Sequence, residues 1–533
     1  MKVHIKKENM LLLVLILVSL SIRLAISSVG VPTALSKFAD DDAFYYLKIT
    51  ENFVGGKGFS FDGLVQTNGF HPLYILISSP FFLIFKDLIA RYHLSLILLN
   101  IFSVATAIFI YKLTRLFVTP IFALLSTTFW LYNPFTSFLA LNGEEIAIAG
   151  FFIAATLYYF VNLIKYKRFD VKSCSILGML LALTVLARSD GILLFIAVIL
   201  MIVLLNRKSF PMFIKTVTPI LTMFILILLP WVIWNLNTFG TIAQDSAVAQ
   251  KYLNHITIIG TDSLTVLQCM KYGSYNILAA IGKIILIVGG GNISNKVIHG
   301  ILNHFHTALF LVVVVTLMIL LLANIKELWK GICNNSSIAL LFTIYILFFL
   351  YYPIILWGNW YRYYAPILLI TSILFGILLS FLHKRFKFKQ LYVLDAIIII
   401  LLFVFSSYYI IRNLDRSWQK EYYAGAIWLR NNISSTEIIG AFNSGIFGYF
   451  SGRTVVNLDG KVNGEALRAI KNKSFNEYLR RKNITVLIDQ QSSLSLYDAQ
   501  SAYLSNYSFR YRVNNSSIVV MKLKDGKFGG VWK

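Results

Sequence analysis

The amino-acid sequence predicts a mainly α, polytopic transmembrane helical bundle of about 11 spans, with a small extracytoplasmic α/β domain at its C-terminus. Three observations carry this expectation. The 533 residues are 57% hydrophobic and only 14% charged, against about 25% charged in a soluble domain. Apolar runs near the length of a bilayer-crossing helix recur along the chain. Basic residues gather in short clusters between those runs, where cytoplasmic loops of membrane proteins carry them. The formal net charge of +24 is therefore a topological signal, and no nucleic-acid partner is implied. Cys174, Cys269 and Cys333 lie far apart and form neither a metal nor a disulfide pattern.

The N-terminus reads as a retained signal anchor. Lys2, Lys6 and Lys7 precede an apolar stretch from Met10 to Gly30, and no small-x-small cleavage site follows. Residues 31–92 then form a first outer loop that contains the acidic run Asp40, Asp41 and Asp42. Within it, "HPLYILISSPFFLIF" (71–85) is apolar but short for a span and is placed as an interfacial or re-entrant helix. Were it to cross, every later segment would change sides.

Further spans are expected at 93–111, 120–140, 146–164, 174–188, 190–206, 213–235, 304–324, 338–357, 364–382 and 391–410. With 71–85 not crossing, the basic groups at Lys112/Arg115, Lys165–Lys172, Arg207/Lys208, Lys326/Lys330 and 383–389 all fall inside. A polar loop at 236–303 and the tail fall outside. Residues 1–411 thus form the membrane domain and 412–533 an outer α/β domain. In the tail, "EYYAGAIWLRNN" reads as a helix, "TEIIGAF", "TVVNLD" and "ITVLID" as strands, and "GEALRAIKNKSFNEYLRRKN" as one long polar helix. Asp459 and Gly460 in "VVNLDGKVN" read as a strand-to-helix turn. The result is a multi-pass plasma-membrane protein with a cytoplasmic N-terminus and an extracytoplasmic C-terminal domain.

Ionisable groups beside membrane spans are costly and so mark candidate function. The acidic run is followed by an aromatic stretch with Tyr45. His71 opens the interfacial helix, and Arg91 stands before the next span. Glu144 and Glu145 end the span at 120–140, Arg188, Ser189 and Asp190 form an outer turn, and Arg362 lies among aromatics. Taken singly, each has a plain alternative: a solvated acid, a structural histidine, a turn-stabilising ion pair, a snorkelling arginine. Taken together, they lie on one face by a topology drawn from other residues. Acids suit general-base work on a hydroxyl. Arginine and histidine suit a phosphate leaving group whose charge grows in the transition state. The combination fits transfer of a group from a phosphate-activated donor to an alcohol. On the outer face such a donor must be delivered there, as a polyprenyl phosphate delivers its cargo.

The motifs "DDAFYYLKI", "GKGFSFDG", "TNGFHPLY", "GEE", "ARSDG" and "RYYAP" together resemble the GT-C superfamily of polytopic glycosyltransferases, which includes protein O-mannosyltransferases and aminoarabinose transferases. The resemblance covers most of the chain, and the first outer loop is its specific part. It implies a GT-C-type bundle, a lipid-phosphate-linked hexosyl or pentosyl donor, inverting displacement, and an acidic base in the first outer loop. The partners it implies are a polyprenyl-phosphate sugar, membrane lipids, and an envelope polymer, glycolipid or protein acceptor. Matching "DDAFY" to the family pattern nominates Asp41 as the base, with Asp42 and Asp40 in reserve. The extra Asp40 leaves the register open by one. His71 and Arg362 match positions that serve the donor phosphate, and Glu145 matches an acid that touches sugar or metal, with Glu144 competing for that place. Some members use Mg or Mn and others use no cation, and the sequence does not decide between them. Two other readings stand beside this one: a transporter or flippase of lipid-linked saccharides, and a non-enzymatic assembly scaffold. A transporter shows polar breaks at mid-bilayer and repeated halves. Here the polar groups cluster at one face and no repeat is found.

Overall fold

The computed structural model describes residues 7–259, 335–352, 360–386, 416–495, 503–513 and 516–524. The expected spans at 304–324 and 391–410, most of the loop 236–303, and Cys269 and Cys333 lie outside the described residues. The chain opens with α1 (Lys7–Ser27), α2 (Val31–Lys37), α3 (Asp41–Val54), α4 (Pro72–Ile84) and α5 (Leu88–Thr114). It continues through α6 (Pro120–Tyr132), α7 (Pro134–Leu141), α8 (Ile146–Tyr166), α9 (Val171–Ala187), α10 (Ile192–Leu205) and α11 (Phe210–Phe239). Then come α12 (Asp245–Ile259), α13 (Ser336–Tyr351) and α14 (Ala365–Phe386). Among the described residues, five stretches, Lys7–Ser27, Leu88–Thr114, Ile146–Tyr166, Phe210–Phe239 and Arg362–Arg385, are long and apolar enough to cross a membrane by length and composition. Shorter apolar helices stand between them, and the chain is a multi-pass membrane protein. α4 has 13 residues. At 1.5 Å per residue that is about 20 Å, short of the roughly 30 Å hydrocarbon core.

The stretch expected as one span at 120–140 is two helices. Pro134 opens α7, and Asn133 before it sits in an extended conformation, φ −63° and ψ 123°. Proline lacks the N–H that would continue α6 and excludes helical backbone at the residue before it. Arg23 of α1 repairs the break. It is buried and donates to the carbonyl of Leu131 at 2.9 Å, to Thr136 at 3.1 Å and to Ser103 at 2.6 Å. A carbonyl freed at the kink thus finds a donor inside the bundle, as apolar surroundings require.

The tail is a mixed α/β domain. It comprises α15 (Ser417–Asn432), β1 (Ile438–Ala441), α16 (Gly445–Phe450), β2 (Thr454–Asn457), α17 (Gly464–Lys471), α18 (Phe475–Arg481), β3 (Ile484–Gln490), β4 (Tyr507–Arg512) and β5 (Ile518–Leu523). The strands run β2-β1-β3-β5-β4. β1 is parallel to β2 and β3, and β5 is antiparallel to β3 and β4. The single long helix expected at 464–483 is α17 and α18, because Lys473 adopts φ +56° between them and Ser474 N–H returns to the Ala469 carbonyl at 2.9 Å. This domain does not hang free. One apolar core runs from the bundle into it, and Phe44 of α3 packs its ring against Tyr92, Tyr449 and Phe450.

Helices α9 and α11 pack closely. A Cβ placed on Gly178 would lie 2.3 Å from the Ile220 carbonyl oxygen, so only glycine lets the two backbones approach this closely. Gly178→Val is expected to destabilise the protein by about 1–3 kcal/mol, the usual cost of overpacking. Thermal unfolding in detergent measures it, and an unchanged midpoint refutes this account of the α9–α11 contact.

Candidate active site

The site begins at the start of α3. Asp40 is the N-cap, its carboxylate accepting the Asp41 N–H at 3.0 Å. Successive residues on a helix point about 100° apart, so the three acids leave α3 in three directions. Asp40 meets Arg416 at 3.2 Å and Gln419 at 3.3 Å. Asp41 is buried and accepts the backbone N–H groups of Gly445 at 3.0 Å and Ile446 at 2.7 Å. Asp42 accepts from Arg362 at 2.9 Å and from Lys461 at 3.4 Å. Every one of the three carboxylates is therefore held by the C-terminal domain.

Asp42 faces a cavity of about 120 Å³ whose wall also contains Tyr45, Tyr46, His71, Glu144, Glu145, Arg188, Asp190, Arg362 and Lys461. Arg188 is fixed by Asp190 at 3.1 Å, Glu145 at 2.7 Å and the Tyr352 hydroxyl at 2.9 Å. Arg362 bridges Asp42 and Glu144. His71 Nε2 lies 3.5 Å from Glu145. Gln244 donates its amide to the Phe70 carbonyl at 2.7 Å and stands 3.2 Å from His71 Nδ1. That contact assigns Nδ1 as the acceptor and leaves the proton on Nε2, toward Glu145. Burial also holds the His71 pKa below its ordinary value, so the ring is neutral at pH 7. Tyr45 reaches the domain junction, where its hydroxyl accepts from Ser444 N–H at 3.4 Å. Tyr46 packs on Tyr74, 4.8 Å between ring centres.

A second cavity, of about 160 Å³, lies on the other side of Asp42, Arg362 and Lys461 and is lined by Asp40, Asp41, Trp360, Arg416, Trp418 and Asn443 among others. Asp42, Arg362 and Lys461 line both cavities. Burial raises the Asp42 carboxyl, but Lys461 and Arg362 outweigh burial and hold it well below the usual carboxylate value. The Asp41 carboxyl is pushed up to about 7 by burial, against the pull of its two amide donors. Asp41 lines only the second cavity, and both its oxygens are engaged.

The structure brings Asp42, Tyr45, His71, Glu144, Glu145, Arg188, Asp190 and Arg362 to one cavity, and Asp40 and Asp41 to its neighbour. It does not bring Arg91. That side chain donates to the carbonyls of Phe85 at 2.6 Å and Phe82 at 3.0 Å and pairs with Glu51 at 3.2 Å. It closes the C-terminal end of α4. Lys461 is a site residue that sequence reasoning misses. Its motif, "VVNLDGKVN", reads as a strand-to-helix turn with acceptor binding as the lesser alternative, and nothing local in that stretch shows that the turn lands on α3. Among the described residues no group of three or more His, Cys, Asp or Glu side chains is spaced to hold a metal ion. Arg362 already occupies the place between Asp42 and Glu144. The donor set thus does not fit a resident Mg or Mn in this arrangement.

The fold is similar to those of two kinds of solved polytopic membrane protein. The aminoarabinose transferase ArnT from Cupriavidus metallidurans, in a structure bound to undecaprenyl phosphate, is similar with a TM-score of 0.60 at 10% identity, covering 96% of this chain and 97% of that one. The Archaeoglobus fulgidus oligosaccharyltransferase AglB, in complex with an inhibitory peptide and a dolichol-phosphate, is similar with a TM-score of 0.54 at 13% identity, covering 96% of this chain and 74% of that one. A second structure of that oligosaccharyltransferase, in complex with Zn and sulfate, has a TM-score of 0.54 at 14% identity over 93% and 72% of the two chains. Residues 411–522 match a family described as a domain of unknown function, DUF8728. No curated protein matches the sequence significantly.

Asp41→Ala would orphan two backbone donors buried at the domain junction. The expected cost is about 1–3 kcal/mol for each donor left unmatched, read as a lower unfolding temperature and faster proteolysis of the C-terminal domain. Wild-type behaviour in both assays would show that this cap does not hold the domain down.

Proposed function

We propose that the protein is a membrane glycosyltransferase that moves a hexosyl or pentosyl group from a polyprenyl-phosphate donor to an acceptor hydroxyl on the extracytoplasmic face, with inversion. The observation that carries this reading is Asp42, a carboxylate in the wall between two cavities, with cations on either side. The donor phosphate lies in the first cavity near Arg362, Arg188 and His71. The acceptor enters from the second, past Trp360 and Trp418, and belongs to an envelope polymer, glycolipid or protein. The acceptor oxygen attacks the anomeric carbon, and the bond from that carbon to the phosphate oxygen breaks. The acceptor proton passes to Asp42, and the lipid phosphate leaves with its charge met by the cations, which are prepositioned as such leaving groups require. Glu144, Glu145 and Asp190 hold the arginines in place rather than react.

Two supports stand behind the donor class. Solved structures of the same fold hold undecaprenyl phosphate or a dolichol-phosphate. The first cavity also gathers three cations and a neutral histidine at one end of apolar helices. The outer-face location rests on the distribution of basic clusters.

The base is Asp42 and not Asp41 on geometric grounds, since a base must reach the proton it takes before its pKa matters. The two carboxyls make opposite predictions for acid pH. A base must be deprotonated, so activity falls as pH drops through its pKa. With Asp42, held low, kcat/KM stays level from pH 8 down to about 5; with Asp41, at about 7, an acid limb emerges near neutrality. The assay is purified protein in nanodiscs with a panel of radiolabelled polyprenyl-phosphate sugars, scoring released lipid phosphate. Asp42→Asn is expected to lower kcat by roughly 10²–10⁴-fold, with the unfolding temperature read alongside so that lost chemistry is told apart from lost docking of Arg362 and Lys461. Turnover of every donor at the buffer rate would end the glycosyltransferase reading, and an active Asp42→Asn would end the assignment of the base.

A further inference from the structure

The three cations in the wall of the first cavity are not held alike. Arg188 makes contacts of 2.7–3.1 Å to two carboxylates and a tyrosine hydroxyl. Arg362 is clamped between Asp42 and Glu144. Lys461 lies 3.4 Å from Asp42 and 3.7 Å from Asp459. Charge-assisted N–H···O contacts normally close to about 2.7–2.9 Å, so neither acid grips the ammonium.

The backbone of Lys461 is the opposite case. Its N–H donates to Asp459 Oδ1 at 2.9 Å, and the turn around it is tied by Asn457 and Asn463. Its carbonyl presses on the "TNGFHP" loop of the bundle, where a Cβ on Gly69 would lie 1.8 Å from the carbonyl oxygen. That loop carries His71. The anchor point is thus rigid and tied to the cavity, while the ammonium rides on a flexible four-carbon stem with donors to spare.

We propose that Lys461 is the anion-binding residue that the C-terminal domain contributes to the donor site, and that its ammonium exchanges between Asp42 and the donor phosphate. The proposal rests on the donor reading above. Movement of the ammonium toward phosphate takes one of two cations from Asp42. A carboxylate relieved of a cation is a stronger base, so arrival of the donor would prepare Asp42 to accept the proton. The matched domain of unknown function would then complete the site by delivering this lysine.

The test is binding of a polyprenyl phosphate and of the corresponding polyprenol to the full-length protein in nanodiscs, for the wild type, Lys461→Met and Lys461→Arg. The preference of the wild type for the phosphate over the alcohol should fall about 10- to 100-fold in Lys461→Met, the usual size of a lost contact to a charged group. It should be largely kept in Lys461→Arg. In Lys461→Met the acid limb of kcat/KM should also move to higher pH, because Asp42 has lost a cation; a purely structural role would not move it. Lys461→Gln gives the same readout should the methionine variant not fold. An unchanged phosphate preference in Lys461→Met overturns this proposal alone. A wild type that does not prefer the phosphate overturns the donor reading with it.

Discussion

A carboxylate set between two cations from different parts of the chain, Asp42 between Arg362 at the head of α14 and Lys461 of the C-terminal domain, is the juxtaposition on which the two-cavity site depends. Isolated charges in such surroundings are prohibitively costly, and pairing with good geometry is what makes their burial tolerable. Here the partners come from sequence positions hundreds of residues apart. The site cannot exist until α3, α14 and the tail domain have docked. Asp40 on Arg416 and Asp41 on the amides of α16 belong to the same docking. One turn of α3 thus does three jobs, because a helix sends consecutive side chains in different directions.

The same logic separates structural acids from reactive ones. Glu145 and Asp190 hold Arg188, and Glu144 holds Arg362. These pairs set the planes of two guanidinium groups, and a guanidinium offers its donors only in the plane it is held in. Asp41 is committed to backbone amides. What distinguishes Asp42 is that its partners, unlike amides, can be drawn toward another anion, and that it borders both cavities. Position relative to the cavities thus ranks the acids better than their order in the chain.

Much of the bundle is legible in the sequence, since apolar runs and basic clusters report directly on the cost of burying polar groups in lipid. α5, α8, α9, α10, α11 and α14 begin and end within a few residues of the expected spans. The run at 120–140 misleads because hydropathy is blind to the backbone restriction that Pro134 imposes on Asn133. The long helix expected at 464–483 misleads because the polar composition of that stretch gives no sign that Lys473 turns left-handed. β5, "IVVMKL", carries no alternation and escapes notice, whereas β4, "YSFRYR", alternates aromatic and polar residues and is legible, although it is not among the strands expected. At the site, the residue types are readable and their partners are not. Arg91 and Arg188 look alike in sequence, each an arginine beside an apolar helix. One ends up closing α4 and the other lining the cavity, and only the tertiary fold decides which.

The docking of the tail domain also narrows the first cavity. The first cavity is walled by the bundle on one side and by the turn at Lys461 on the other, and the Asp42, Arg362 and Lys461 side chains keep about a fifth of their surface exposed. Partial burial of this kind lowers the local dielectric and strengthens each ion pair within it. A tail domain that only bound acceptor would have no reason to place its own backbone against the loop of His71 or a cation beside Asp42. That placement makes the domain part of the first cavity's wall, so its loss would remove a charge, a wall and the partners of the three α3 acids together.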